Sequence, residues 1–128
     1  MDFIASLRST DTETRIDAAS ELMVCGDECQ HLAHEVLFAL ADEDEEVREL
    51  TAGFLEELGP PSAKALPSLI QQASSMNTLV SYWAITLIGR LGSDATDATA
   101  QLNRIADDST LDSELRSRAS WALERIKS

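Results

Sequence analysis

The chain has 128 residues, 44% of them hydrophobic, which suits one globular domain. It carries 23 acidic and 10 basic side chains, a formal net charge of −13, and this negative field disfavours binding to nucleic acid or anionic lipid. Residues 1–64 hold 16 of the acids and 4 of the bases, so the first half is the acidic one. We therefore expect either a basic partner or adaptation to a salty cytoplasm.

The amino terminus and the cysteines bear on localisation. No apolar run approaches the ~20 residues that span a bilayer, and the chain does not open with a basic segment followed by an apolar one. Cys25 and Cys29 are too few, and too close in sequence, to form the framework of a secreted scaffold. These features predict a cytoplasmic protein that does not associate with a membrane and whose two thiols are reduced.

Helix signals follow one another in chain order. Phe3, Ile4 and Leu7 stand at helical spacing and predict a short first helix. A cap residue then stands three positions before each of four apolar segments, where its side chain can accept from free helix amides: Asp11, Asp44, Asn77 and Asp112. Other helices are predicted between these segments, at residues 28–41, 61–74 and 94–107. Of their prolines, Pro61 suits a first turn and Pro67 is expected to bend its helix.

The four capped segments resemble one another. Residues 47–59 match residues 14–26 and 80–92 at shifts of 33, and residues 115–127 follow 35 later. Positions one, five, nine and twelve of each segment are mostly small or aliphatic, the stripe of a core-facing helix, and position thirteen is glycine in the first three copies, which predicts a left-handed helix end.

A fixed period of this length predicts a solenoid, in which each unit buries its apolar face on its neighbours. The predicted fold is all-α, an α-α superhelix of about four stacked antiparallel helix pairs whose first outer helix is short. We interpret residues 1–128 as a single domain with repeats at about 1–26, 27–59, 60–92 and 93–128.

The pattern of a cap, Val47-Arg48, small residues, Leu58-Gly59 and then Pro60-Pro61 resembles the HEAT repeat in its short, bilin-lyase-like form. The resemblance covers nearly the whole chain and implies a right-handed solenoid. It departs from the family pattern at three positions, where the family usually has Arg, Val and Gly: Ser81, Thr14 and Lys127. The resemblance also leaves open a bilin-lyase-like accessory subunit as an alternative function.

Positions three, four and seven of the capped segments face the inner, concave side in this family. Both tryptophans and the only tyrosine fall in this set, and large aromatics with Arg dominate interface energetics. The alternative is that Trp83 packs on its own repeat and Trp121 shields the carboxyl-terminal end. We predict a monomeric, non-catalytic scaffold that needs no cofactor and binds a protein or peptide, which we expect to be basic, through Glu49, Leu50, Tyr82, Trp83, Thr86, Arg118 and Trp121.

The remaining candidates for chemistry are weaker. Cys25, Cys29, His31 and His34 are the only cysteines and histidines, but the histidine spacing does not fit a Cys2His2 zinc site. We favour the interpretation that Cys25 is buried, Cys29 lies in a turn and the histidines lie on a helix surface. A single His34-Glu35 pair cannot supply the iron cluster of HEAT-like hydroxylases. No catalytic triad or nucleotide motif appears, and the acidic run at residues 42–46 is interpreted as a solvated turn that carries one cap.

Overall fold

The computed structural model describes residues 2–128, which form helices and no strand. This confirms the all-α class. The chain divides into two compact units, the first ending at Gly59 and the second running from Pro60 to Ser128. The division falls at the predicted boundary between the second and third repeats. None of the helices in residues 2–128 is long and apolar enough to cross a membrane.

The first unit is built from α-helices joined by short 3-10 segments. In chain order its elements are α1 (Phe3–Leu7), α2 (Thr12–Cys25), the 3-10 segments Gly26–Leu32 and Leu37–Ala41, and α3 (Glu45–Glu57). α1 packs on α2, and α2 packs on α3. α1 is the short first helix predicted from the sequence, and the Asp2 carboxylate caps it by accepting a hydrogen bond from the Ala5 amide.

The second unit has four α-helices among its described residues. Its elements are the 3-10 segment Ala63–Ala65, α4 (Leu66–Gln72), α5 (Thr78–Leu91), the 3-10 segment Gly92–Ala98, α6 (Thr99–Asp107) and α7 (Ser113–Lys127). α7 packs on both α5 and α6, and α4 packs on α5. The pairing of α5 with α7 positions the aromatic residues discussed below.

The predicted caps begin the four helices that we call the capped helices, α2, α3, α5 and α7. The side chains of Asp11, Asp44 and Asn77 each accept a hydrogen bond from the amide three residues on. Asp112 occupies the same position at α7, but its side chain makes no such bond. The cap prediction is therefore confirmed in position at all four helices and in bonding at three.

Two exposed aspartates also accept hydrogen bonds from threonine. The hydroxyl and amide of Thr14 donate to Asp11, and those of Thr110 donate to Asp108. These bonds favour the charged carboxylate and lower the pKa of both side chains. Because the folded pKa is the lower one, this stabilisation is present above the ordinary carboxyl pKa and is lost as the pH falls through the lowered value.

Burial confirms the core stripe of the capped helices at position five of every copy, whereas four residues at the other stripe positions are only half-buried: Thr14, Cys25, Leu91 and Leu123. Position five, the small residue of each copy, has no exposed surface in any of the four: Ala18, Thr51, Ala84 and Ala119. The buried Thr51 hydroxyl has a hydrogen-bond partner, because it donates to the Val47 carbonyl at 2.8 Å. Small buried residues allow neighbouring helix backbones to approach closely.

The second position of each copy ties a capped helix to the turn before it. The guanidinium groups of Arg15, Arg48 and Arg116 donate to the carbonyls of Ser9, Asp42 and Leu111, at 2.9, 2.7 and 3.2 Å. Ser81, which replaces the usual arginine, donates to the Ala73 carbonyl at 2.6 Å. Ser81 therefore also bonds to a carbonyl of the preceding segment, although with a shorter side chain and to a residue further back in the chain.

The acidic run is only partly a solvated turn. Asp42 is almost buried and pairs with the buried Arg15, whose Nε lies 3.0 Å from the carboxylate. A buried charge needs such a partner, because desolvation would otherwise cost several kcal/mol. Asp44 supplies the predicted cap, while Glu43, Glu45 and Glu46 are exposed.

The connecting segments differ from the three long helices that were predicted. Residues 28–41 form two short 3-10 segments, and α4 and α6 are shorter than expected. Pro67 lies at the start of α4, where its missing N–H costs nothing, so it does not bend a helix. Pro61 is buried ahead of the 3-10 segment and not in a first turn.

Two of the three predicted glycine stops have a positive φ. Gly26 and Gly92 end α2 and α5 with φ of 57° and 60°, but their ψ values of −128° and −134° lie outside the left-handed helical region that was expected. Gly59 has no positive φ, because α3 ends earlier and Leu58 is already extended. The stop prediction was therefore right about position at two sites and wrong about conformation.

Cys25 and Cys29 form a disulfide, so the prediction of reduced thiols was wrong. The turn at Gly26 brings their Cα atoms to 5.8 Å, within the range that a disulfide requires. Cys29 is the buried cysteine and Cys25 is half-buried, the reverse of the expectation. The same turn forms at Gly92, where Ala95 stands in place of Cys29 with similar angles. The turn therefore does not need the disulfide.

The Gly26 turn provides a clean test of backbone conformation. Gly26→Ala places no atom within 4 Å of the new Cβ, so its only cost is the positive φ, which we expect to lower the free energy of unfolding by about 1–3 kcal/mol. Gly59→Ala is the matched control, since its Cβ would meet only Gln30 Nε2 at 3.9 Å and its φ is not positive. Urea unfolding measures both, and an equal loss in the two variants would contradict the interpretation.

Candidate functional site

A groove lies between α5 and α7 in the second unit. Its volume is about 440 Å³. On α7 the lining residues stand four apart, so successive turns of the helix present them on one face. The groove is lined by Tyr82, Ser113, Glu114, Ser117, Arg118 and Trp121.

Arg118 is the centre of this groove. Its guanidinium carbon lies 4.8 Å from the centre of the Tyr82 ring and 4.6 Å from that of Trp121. It also donates a hydrogen bond to the Tyr82 hydroxyl. A guanidinium held by two aromatic rings and a hydroxyl has few rotamers left to lose when a ligand binds. Arg118 is therefore pre-organised.

Trp121 is held in place by a glycine on the neighbouring helix. A Cβ built on Gly89 would overlap the Trp121 ring, so the indole rests directly on the α5 backbone. Trp121 nevertheless keeps part of its surface exposed and lines the groove. It is thus both a packing residue and a wall of the groove.

Trp83 extends the aromatic cluster beyond the groove. Its ring meets that of Tyr82 edge-on, with centres 5.8 Å apart and planes at 81°. The Arg90 guanidinium lies 5.7 Å from the Trp83 ring centre. Trp83 is half-exposed and does not line the groove itself. Its contribution to the groove is to support Tyr82.

The structure brings together three of the seven predicted binding residues, Tyr82, Arg118 and Trp121, with Trp83 adjacent. Thr86 is buried, and its hydroxyl donates to the Tyr82 carbonyl, so it offers little surface and we remove it from the proposed site. Glu49 and Leu50 lie on α3 in the first unit, exposed and half-buried respectively.

Three groove residues, Ser113, Glu114 and Ser117, were not among the predicted binding residues. Ser113 and Glu114 come before position one of the fourth copy and therefore fall outside the repeated segment, whereas Ser117 stands at position three. The signal that would have found them is the helical spacing itself, because Ser113, Ser117 and Trp121 are each four residues apart.

The cysteines and histidines do not form a metal site in the described part of the chain. Within residues 2–128 no three side chains of His, Cys, Asp or Glu converge as ligands. Cys25 and Cys29 are joined to each other, which removes both thiolates. His31 is exposed, and His34 is half-buried with its Nε2 3.8 Å from the Glu35 carboxylate.

Charge is distributed unequally between the two units. The chain up to Gly59 has 16 acidic and 3 basic residues, a net charge of −13, whereas residues 60–128 have 7 of each and are neutral overall. The three arginines of the first unit already have partners: Arg15 and Arg48 bind at Asp42, and Arg8 lies over the Phe38 ring. All the acidic side chains of this unit except those of Asp42 and Asp44 are exposed, so its excess negative charge faces solvent.

Comparison with known proteins gives the fold and nothing beyond it. No protein-family model and no curated protein matches the chain. The structure is similar to an engineered protein whose crystal structure was determined by the Northeast Structural Genomics Consortium, with a TM-score of 0.58 and 21% identity. The match covers 97% of this chain and 60% of that one, so this chain spans less than two thirds of its structural neighbour.

The contact between Gly89 and Trp121 predicts a specific sensitivity. Gly89→Ala forces the indole off α5, and we expect it to lower the free energy of unfolding by about 1–3 kcal/mol and to shift the Trp121 fluorescence, read in a Trp83→Phe background. Gly53→Ala is the matched control, because its Cβ would meet only the flexible end of Met23, at 3.0 Å. An unchanged Trp121 signal in the Gly89 variant would contradict the contact.

Proposed function

We propose that this chain is a non-catalytic scaffold that binds a protein or peptide partner, with the groove between α5 and α7 as its main anchor. The single observation that carries the proposal is the pre-organised cluster of Tyr82, Arg118 and Trp121. Tyr, Trp and Arg are the residues that most often supply the binding energy of an interface, when they stand in a partly desolvated pocket. Here all three line one groove.

We further propose that the helix pairs are HEAT-like repeats of a right-handed solenoid. What supports this is that the same contact recurs in each unit between consecutive capped helices. The residue at position ten of one copy packs against the residue at position seven of the next. Met23 packs against Gly53 in the first unit, and Gly89 packs against Trp121 in the second. Such a repeated relation is what stacked units of a solenoid require.

The proposed partner is basic. The support is the net charge of −13 in the first unit, whose arginines are already engaged. A field of this kind attracts a positively charged segment and speeds its encounter, an effect that weakens as salt is added. On α3, Glu49 is exposed beside the half-buried Leu50 and offers such a segment one acidic and one apolar contact.

The aromatic residues give the test of this proposal. A partner captured by the tagged protein and identified by mass spectrometry is purified, and its affinity is measured by calorimetry. Trp83→Ala and Trp121→Ala are each expected to weaken binding about tenfold or more, with helicity by circular dichroism unchanged.

Met76→Ala is the control for these variants, since Met76 is fully exposed and does not line the groove. It should bind as the parent does. If helicity falls in proportion to binding, the tryptophans act through the fold and the proposal fails. It also fails if the Met76 variant loses as much affinity as the tryptophan variants.

A further inference from the structure

Glu114 and Arg118 are a pair of opposite charges that do not meet. They stand four residues apart on α7, the spacing at which such side chains commonly pair on a helix. No ion pair joins them, and neither has a carboxylate or cationic partner elsewhere in residues 2–128. Both line the groove.

The reason lies in the geometry of Arg118. Its guanidinium is held over the Tyr82 and Trp121 rings and bonded to the Tyr82 hydroxyl, and it makes no ion pair with Glu114. A guanidinium has five N–H donors, and only one is used here, so the others remain for a ligand carboxylate. Glu114 is exposed, with its acceptors facing solvent.

Two hydroxyl groups complete the polar lining of the groove. Ser113 and Ser117 are exposed, and their side chains make no hydrogen bond to the described part of the chain. Each can donate one hydrogen bond and accept others, which suits the backbone of an extended peptide. The groove thus presents a positive group, a negative group and two hydroxyls, with aromatic walls at one end.

We propose that this groove recognises an extended peptide segment that carries an acidic and a basic side chain two residues apart. The acidic side chain binds Arg118 and the basic one binds Glu114. Side chains at i and i+4 of a helix are separated by about 5–6 Å, and alternate side chains of an extended strand lie on one face at about 6.6 Å. The two spacings differ by about 1 Å, which flexible side chains can span. The inference rests on the proposed function and specifies the partner's chemistry.

The test uses the intact chain and three blocked five-residue peptides. The first is alanine–glutamate–alanine–lysine–alanine, and the other two have glutamine in place of the glutamate or of the lysine. Binding is read by NMR from the indole N–H of Trp121, assigned through Trp83→Phe, so that lysine attracted to the acidic first unit does not contribute. A fourth peptide with the two charges exchanged tests the direction of the chain.

The doubly charged peptide is expected to bind about threefold to fivefold more tightly than either singly charged one, as one additional exposed charge contact allows. Glu114→Gln should remove the advantage of the lysine, and Arg118→Gln that of the glutamate. Glu114 is exposed, so its variant stays informative even if Arg118→Gln disturbs the aromatic stack.

Three outcomes overturn the inference: equal affinity for all peptides, an unchanged preference in the Glu114 variant, or no shift of the Trp121 signal up to about 10 mM peptide. These outcomes are separable from failure of the scaffold itself. If the partner is still captured by a variant with both charges neutralised, but not by Trp121→Ala, the scaffold stands and charge recognition in the groove is rejected.

Discussion

The close approach of α2 to α3 in the first unit, and of α5 to α7 in the second, is the constraint on which the rest of each unit depends. Position five is small in every copy and fully buried in all four. A larger residue there would push the helices apart and open the core, because protein interiors have no spare volume to absorb it. The close approach of α5 and α7 also brings Gly89 against Trp121. The small residues of the core therefore determine where the partly exposed Trp121 side chain can lie.

Most of the fold was predictable because the capped helices obey local rules. A cap, an apolar stripe and a stop can each be recognised from the sequence of a single helix. The caps at Asp11, Asp44 and Asn77 form the predicted hydrogen bonds. The connecting segments were not predictable in the same way. An apolar spacing of three or four residues fits a 3-10 turn nearly as well as an α-helix over a few residues, and the choice depends on packing.

The disulfide shows where local reasoning about a side chain falls short. Counting cysteines indicated free thiols, and the repeat register indicated that Cys25 is the buried one. A glycine turn was predicted at Gly26, but not that it would bring the two cysteines within disulfide distance and bury Cys29 instead of Cys25. The turn at Gly92 has the same conformation, with alanine at residue 95 in place of Cys29. The disulfide therefore cross-links a conformation that the backbone also adopts without it.

The candidate site was predictable in composition and not in geometry. The repeat register places Tyr82, Arg118 and Trp121 on corresponding faces of α5 and α7, and the structure brings them together. Register does not indicate side-chain contacts, however, and Arg118 contacts Trp121 and Tyr82 without forming an ion pair with Glu114. From helical spacing alone, Glu114 and Arg118 would be expected to form an ion pair, and neither charge would then be available to a ligand. The stacking on two rings, which is a tertiary contact, leaves both charges available.

The unequal charge of the two units suggests that they have different roles in the proposed scaffold. Long-range attraction mainly raises the rate of association, whereas short-range contacts in a preformed pocket mainly slow dissociation. The first unit carries the net charge, and the second, neutral overall, carries the aromatic groove. A basic partner would then be attracted by the first unit and retained by the second. Such a partner needs basic residues to be attracted to the first unit. It needs an acidic and a basic side chain two residues apart only in the segment that enters the groove.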